Sequence, residues 1–279
     1  MVSLYNDYKK FERIVKRYDG SGIIDLSSQK FLAPTTLIPL LCFITKNEID
    51  EILVNNSIEE YIVRILNKKK TNTTTPYTEL PNTNEERQKE EIALNMAKTL
   101  NEKYGGLRTL YHIYDELISN VYDHTPFELG YANQGYTYAQ EYPRIKKLDI
   151  CVMDDGLSIP GKFERKGINF VDDCDAISKA INQVSTENDG GTLDKYSRGF
   201  GLWSTIKLVV EGNGGSALFV SRNGCLEIIN KKRYKYHHLN NNYIFKGTLV
   251  SFKLNKCQVQ DYYGLIEKDT SKDYLYGGR

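Results

Sequence analysis

Residues 68–84, KKKTNTTTPYTELPNTN, interrupt the chain with a stretch rich in threonine and asparagine that holds two prolines and has no apolar period. Such a stretch reads as a linker or a long exposed loop. It divides the 279 residues into a small N-terminal part and a larger C-terminal one, and the whole is long enough for a sizeable buried core. With 40% hydrophobic and 26% charged residues, the chain is neither a collagen, a coiled-coil rod nor mainly disordered. Lys and Arg number 37 against 36 Asp and Glu, a net charge of +1. No global field therefore draws in nucleic acid or an anionic membrane. Any polyanion this protein holds must be held by a local site.

The N-terminal part predicts a small α/β unit over residues 1–67. Residues 23–26 and 49–54 read as short strands, 37–44 as a buried helix, and 58–66 as an amphipathic helix with Ser57 as its N-cap. The first twenty residues carry no apolar run of the signal-peptide kind. The longest apolar run, at 37–44, is too short to span a bilayer. The five cysteines (Cys42, Cys151, Cys174, Cys225 and Cys257) stand singly, with no CxxC and no Cys–His zinc spacing. Isolated thiols fit a reducing compartment, so a cytoplasmic protein without membrane attachment is expected.

The C-terminal part begins with helices, at 85–103 and 107–124, and ends with strands at 217–222, 225–229 and 248–254. Between them lie a strand at 145–153, a long connection at 160–198 holding one helix at 171–184, and a helix at 201–211. Helices followed by hairpin strands predict an α+β fold, with helices covering one face of a mixed or antiparallel sheet. The expected layout is thus an extension at 1–67, a linker at 68–84, one large domain at 85–255 and a tail at 256–279.

Four segments of the large domain could carry chemistry. In helix 107–124, His112, Glu116, Asn120 and His124 recur every four residues and share one face. A solvated stripe normally mixes in Lys and Arg, yet the only cation between positions 107 and 128 is Arg108. Acidic, amide and imidazole groups without cations suit an activated water or a hydrated cation. Glu116 can take a proton from water, and the Asn120 amide oxygen can ligate Mg²⁺. The second segment is the strand end Asp154-Asp-Gly156-Leu-Ser158. Its continuation to Lys162 nearly spells a P-loop, but Phe163 stands where the Ser/Thr must be and Pro160 removes an N–H from the cradle. The third, Arg198-Gly199-Phe200-Gly201-Leu202, opens a helix with paired glycines that let backbone amides approach phosphate. Ser204 in the third glycine position excludes a Rossmann fingerprint. The fourth is Gly247-Thr248 at the start of the last strand. The pair His237-His238 reads as surface.

In this order and spacing the four motifs, spread over 85–254, resemble the GHKL superfamily, the ATP-binding domains of gyrase-type topoisomerases, Hsp90 chaperones, sensor histidine kinases and MutL proteins. The stretch from Glu116 to His124 looks closest to the small anti-sigma-factor and sensor-kinase branch. The resemblance implies a GHKL-type α/β sandwich of helices over a mixed sheet, binding ATP and Mg²⁺. It implies Glu116 as the general base, Asn120 as the Mg²⁺ ligand, and Asp154 as acceptor of the adenine amino hydrogen bond. Gly156 would let the chain turn beneath the base, and Thr248 would join the hydrogen bonds behind it. Gly199 and Gly201, with Phe200 and Leu202 between and beside them, would bring backbone amides to the phosphates. Residues 160–198 would form a lid whose Lys195 or Arg198 contacts the γ-phosphate. Ser158 departs from the pattern, standing where a second glycine is usual, and is expected to tighten the pocket wall. His124 is expected to be structural or a weak phosphate contact.

The N-terminal unit resembles, less strongly, part of a STAS domain, and Thr35 and Thr36 fall near the position phosphorylated in partner-switching proteins. The expected function is Mg²⁺-dependent ATP binding with slow hydrolysis, acting as a nucleotide-gated switch with a protein partner or in a homodimer. The alternatives are a serine/threonine kinase of the anti-sigma type and a non-catalytic module with a vestigial pocket. A histidine kinase proper is disfavoured, since there is no H-E-x-x-P helix and His112 lies within the nucleotide-site helix.

Overall fold

The long apolar runs of the C-terminal part are explained by strands buried on both faces. In the computed structural model, which describes residues 3–66, 77–80, 86–100, 102–124, 134–182, 201–239 and 246–267, the sheet is a wall between two helical layers. Its strands are β3 (Tyr77–Leu80), β4 (Gly135–Tyr142), β5 (Lys147–Asp154), β6 (Ser216–Ser221), β7 (Gly224–Asn230), β8 (Arg233–His238) and β9 (Thr248–Asn255). They lie in the order β3-β4-β5-β9-β6-β7-β8, and every neighbouring pair is antiparallel. Of the mixed or antiparallel sheet expected from the order of elements, the antiparallel form is the one present, whereas the resemblance implied a mixed one. The short strands β1 (Ile23–Asp25) and β2 (Glu51–Leu53), which lie outside this sheet, pair in parallel.

Strand alternation sorts the side chains. Leu148, Ile150 and Val152 of β5, with Val250, Phe252 and Leu254 of β9, join one core cluster together with the helices α4 (Glu86–Thr99) and α5 (Leu107–His124). Cys151, Met153 and Leu249, which point the other way, join a second cluster built on the helices α1 (Leu4–Val15), α2 (Pro34–Lys46) and α3 (Asn56–Leu66). Strands covered on both faces need continuous apolar sequence instead of alternation, as LDICVMD shows. The N-terminal residues therefore form the third layer over the sheet and share a core with it. The stretch 68–84 is likewise more than a linker, because its residues 77–80 pair with β4 as the edge strand.

Helix α5 follows its sequence period closely. Leu110, Ile113, Tyr114, Leu117, Ile118 and Val121 are all buried in the core, and each such side chain contributes roughly 1.5–3 kcal/mol relative to exposure. The α3 N-cap is Asn55, not Ser57: the Asn55 Oδ1 accepts the Ser57 N–H at 2.8 Å. Among the described residues, the connection after β5 holds two helices, α6 (Ile159–Arg165) and α7 (Asp173–Ile181), in place of one. Helix α8 (Gly201–Ile206) runs on into a π-helical stretch, Lys207–Gly212, and α9 (Tyr262–Glu267) follows β9. Among the described residues, no helix is long and apolar enough to cross a membrane.

Burial removes Thr35 and Thr36 as phosphoacceptors. Both are 0% exposed, with Thr35 Oγ1 bonded to Ser251 Oγ at 3.0 Å and Thr36 Oγ1 donating to the Asp7 carbonyl at 2.7 Å.

Candidate functional site

The polar stripe of α5 is a half-buried face, opposite the core stripe. Glu116 is desolvated there, and burial, followed by the charges of Asp115 and Asp123, pushes its carboxyl up to about 7. Its carboxylate abuts the first residue of α8: a Cβ on Gly201 would overlap Glu116 Oε2. A side chain at this position would push the Glu116 carboxylate aside. Asn120, one turn further along, is half-buried as well, and no hydrogen bond to a described residue engages its amide.

His112, at the other end of the stripe, is locked. The Ser204 hydroxyl donates to the Gly201 carbonyl at 3.0 Å, so His112 Nε2 donates to Ser204 Oγ at 2.8 Å. Its Nδ1 then accepts from the Tyr262 hydroxyl at 3.3 Å. Burial pulls this imidazole down to about 4, which keeps it neutral. The chain from Tyr262 through His112 and Ser204 to Gly201 fixes the α8 start against α5 and α9, a structural task that leaves His112 outside the reactive group. The side chain of His124 lies outside the described residues.

The strand-end motifs meet in one row of the sheet. Gly135, Asp154, Thr248 and Ser221 are register partners across β4, β5, β9 and β6. Asp154 is 7% exposed, and its Oδ1 accepts the Gly156 N–H at 2.8 Å, which turns the chain sharply after β5. A Cβ on Gly247 would overlap the Asp154 carbonyl, so glycine is required there too. Ser221 joins the pieces: its Oγ accepts the Ile159 N–H at 3.0 Å, donates to the Gly247 carbonyl at 3.2 Å and lies 3.1 Å from Thr248 Oγ1. Sequence reasoning missed Ser221, because a lone serine at a strand end carries no signal. Helix α5 reaches the same row, since a Cβ on Gly135 would lie 3.2 Å from Val121. Asn120, Asp154 and Thr248 thus share one end of the molecule.

Ser158 N-caps α6, its Oγ accepting the Gly161 N–H at 3.1 Å. Asp155, the other acid of the strand end, is buried and paired with Lys46 of α2 at 2.9 Å, which fastens the turn to the N-terminal layer. Leu202 packs partly buried against the helical-side core. Lys195, Arg198, Gly199 and Phe200, with the 183–200 part of the expected lid, lie outside the described residues.

Compared with known proteins, the chain matches no family model and no curated sequence.

Proposed function

We propose that this protein binds Mg-ATP and hydrolyses it slowly, using the nucleotide as a switch. The observation that carries the reading is the Glu116 carboxyl, held near neutrality by desolvation and facing the glycine start of α8. A base whose proton affinity sits near the working pH gives the best compromise between being free to accept a proton and driving its transfer. Glu116 accepts the proton of the attacking water in this account, and half-burial limits competing solvent. Asp154 and Thr248 line the base-binding end, where Asp154 is pre-oriented by the Gly156 amide and hemmed in by Gly247. Such preorganisation lowers the ordering cost of binding.

The donor set suits a hard cation. Asn120 offers an amide oxygen at the same end of the molecule, and the stripe around it is acidic and without cationic neighbours on α5 beyond Arg108. Bound there, Mg²⁺ supplies neutralisation of phosphate charge. Residues Lys195, Arg198, Gly199, Phe200 and Gly201 complete the phosphate contacts in this proposal, with a protein partner or a second copy as the recipient of the switch.

Calorimetry with Mg-ATP tests the binding half of the reading. Wild type is expected to bind one nucleotide, and Asp154→Asn to weaken ATP by about tenfold or more, since a buried acceptor becomes a mismatched one. Absence of binding in wild type, or an Asp154→Asn variant that binds ATP as wild type does, would overturn it.

A further inference from the structure

Two residues 64 positions apart, Cys174 and His238, meet at the far edge of the sheet, away from the α5 site. Cys174 lies in the first turn of α7 and is 5% exposed, and His238 ends β8. Their Sγ and Nδ1 atoms stand 3.8 Å apart. Asp172, the α7 N-cap, brings a carboxylate oxygen to the same point, and the three donor atoms all lie within 4.8 Å of one another. One Asp172 oxygen accepts the Asp175 N–H at 2.8 Å, which orients the carboxylate and leaves its other oxygen available.

The arrangement is held by backbone, not by chance side-chain proximity. The Asn223-Gly224 turn receives the start of α7, with the Asn223 N–H donating to Asp173 Oδ2 at 3.0 Å. A Cβ on Gly224 would lie 2.6 Å from the Asp173 carbonyl and 2.9 Å from the Cys174 nitrogen, so the turn admits only glycine at this distance. Gly224 is the register partner of His238, and the next residue, Leu239, donates its N–H to the Asn223 carbonyl at 2.7 Å. Strand alternation separates the two histidines of the pair. His237 faces the opposite layer, stacked on Tyr5 with ring centroids 3.7 Å apart, and His238 faces α7.

We propose that Asp172, Cys174 and His238 form a binding site for a borderline-soft divalent transition metal of the zinc class. Thiolate and imidazole select such ions over Mg²⁺ and Ca²⁺. Zinc bonds of about 2.3 Å to sulfur and about 2.0 Å to nitrogen place tetrahedral S and N ligands roughly 3.5 Å apart, within a few tenths of the separation present. On binding, the Cys174 S–H loses its proton to solvent and the sulfur electron pair forms the metal bond. A water completes the coordination. The ion clamps α7 to the edge strand β8, joining helix layer and sheet.

The full-length chain, stripped with chelator and titrated with Co²⁺, tests the site. The expected result is one ion per chain with a thiolate-to-cobalt charge-transfer band, displaced by Zn²⁺. Cys174→Ser is expected to abolish the band. His238→Ala is expected to weaken affinity by more than about tenfold, a loss that even partners of metal ligands can produce. Cys257→Ser, which removes the exposed thiol, is expected to leave band and affinity unchanged. His238 is exposed, so its variant carries the test even if Cys174→Ser does not fold. No band in wild type, a band that survives Cys174→Ser, an unchanged affinity in His238→Ala, or loss of the band in Cys257→Ser would overturn the assignment.

Discussion

At the residue scale, Ser158 sits at φ 71° and ψ 161°, a backbone region that is essentially reserved for glycine. Such strain costs on the order of 1–3 kcal/mol, whereas replacing a serine cap by glycine loses only a few tenths. Ser158→Gly is therefore expected to stabilise the fold by about 1 kcal/mol, and Ser158→Ala, which keeps the strain and loses the cap, to destabilise it by about 1 kcal/mol. Chemical denaturation of the two variants measures both signs. Glu116 has the opposite problem. Its folded carboxyl holds its proton up to about 7 while the unfolded one releases it at the ordinary carboxylate value, so folded protein binds more protons in between. Stability contributed by this group falls as pH rises from about 4.5 to above 7. Glu116→Gln is expected to raise stability at pH 8 by on the order of 2 kcal/mol, below the full conversion because the carboxyl is partly solvated, and to change little at pH 4. Melting temperatures across that range check it. A variant that gains nothing at pH 8 would contradict the buried-base account.

At the element scale, the structure separates what sequence pattern can carry from what pairing supplies. Helix α5 was legible to its ends because six core positions recur at helical spacing. The Glu116–Asn120 stripe and the Asp154, Gly156 and Thr248 cluster were legible because short motifs sit on such elements. Strands β4, with the sequence GYTYAQEY, and β8, with RYKYHH, were not. Their tyrosines alternate with polar and small residues without a strong apolar signal, and β8 is an exposed edge held by its ladder to β7. The Cys174–His238 contact left no trace in spacing because topology alone creates it. Glycines mark the closest approaches: Gly247→Ala forces a Cβ onto the Asp154 backbone, which cannot yield as a flexible side chain would. The expected cost is at least about 2 kcal/mol together with loss of nucleotide binding, read by denaturation and calorimetry.

At the scale of the whole molecule, the first layer is fastened to the sheet by a buried ionic group. Lys253 of β9 lies 3.4 Å from Asp149 of β5 and 3.8 Å from Asp7 of α1. Burial, opposed by Lys253, pushes Asp149 up to about 7, and Asp7 is raised for the same reason. Lys253→Met removes the shared cation. At pH 8 two carboxylates must then ionise in place, with an expected cost of about 3 kcal/mol, while at pH 5 Asp149 stays protonated and the cost is smaller. Equal loss at both pH values would contradict the arrangement. Helix α5 meets the α8 start through Glu116 and the strand-end row through Val121, the two contacts on which the proposed ATPase rests. The most direct test of that proposal follows γ-labelled ATP with Mg²⁺ in wild type and Glu116→Gln. Free labelled phosphate from wild type, with turnover lost but nucleotide binding retained in Glu116→Gln, is the predicted result. Label transferred to a protein, or binding and turnover lost together, would contradict Glu116 as the base of a hydrolase.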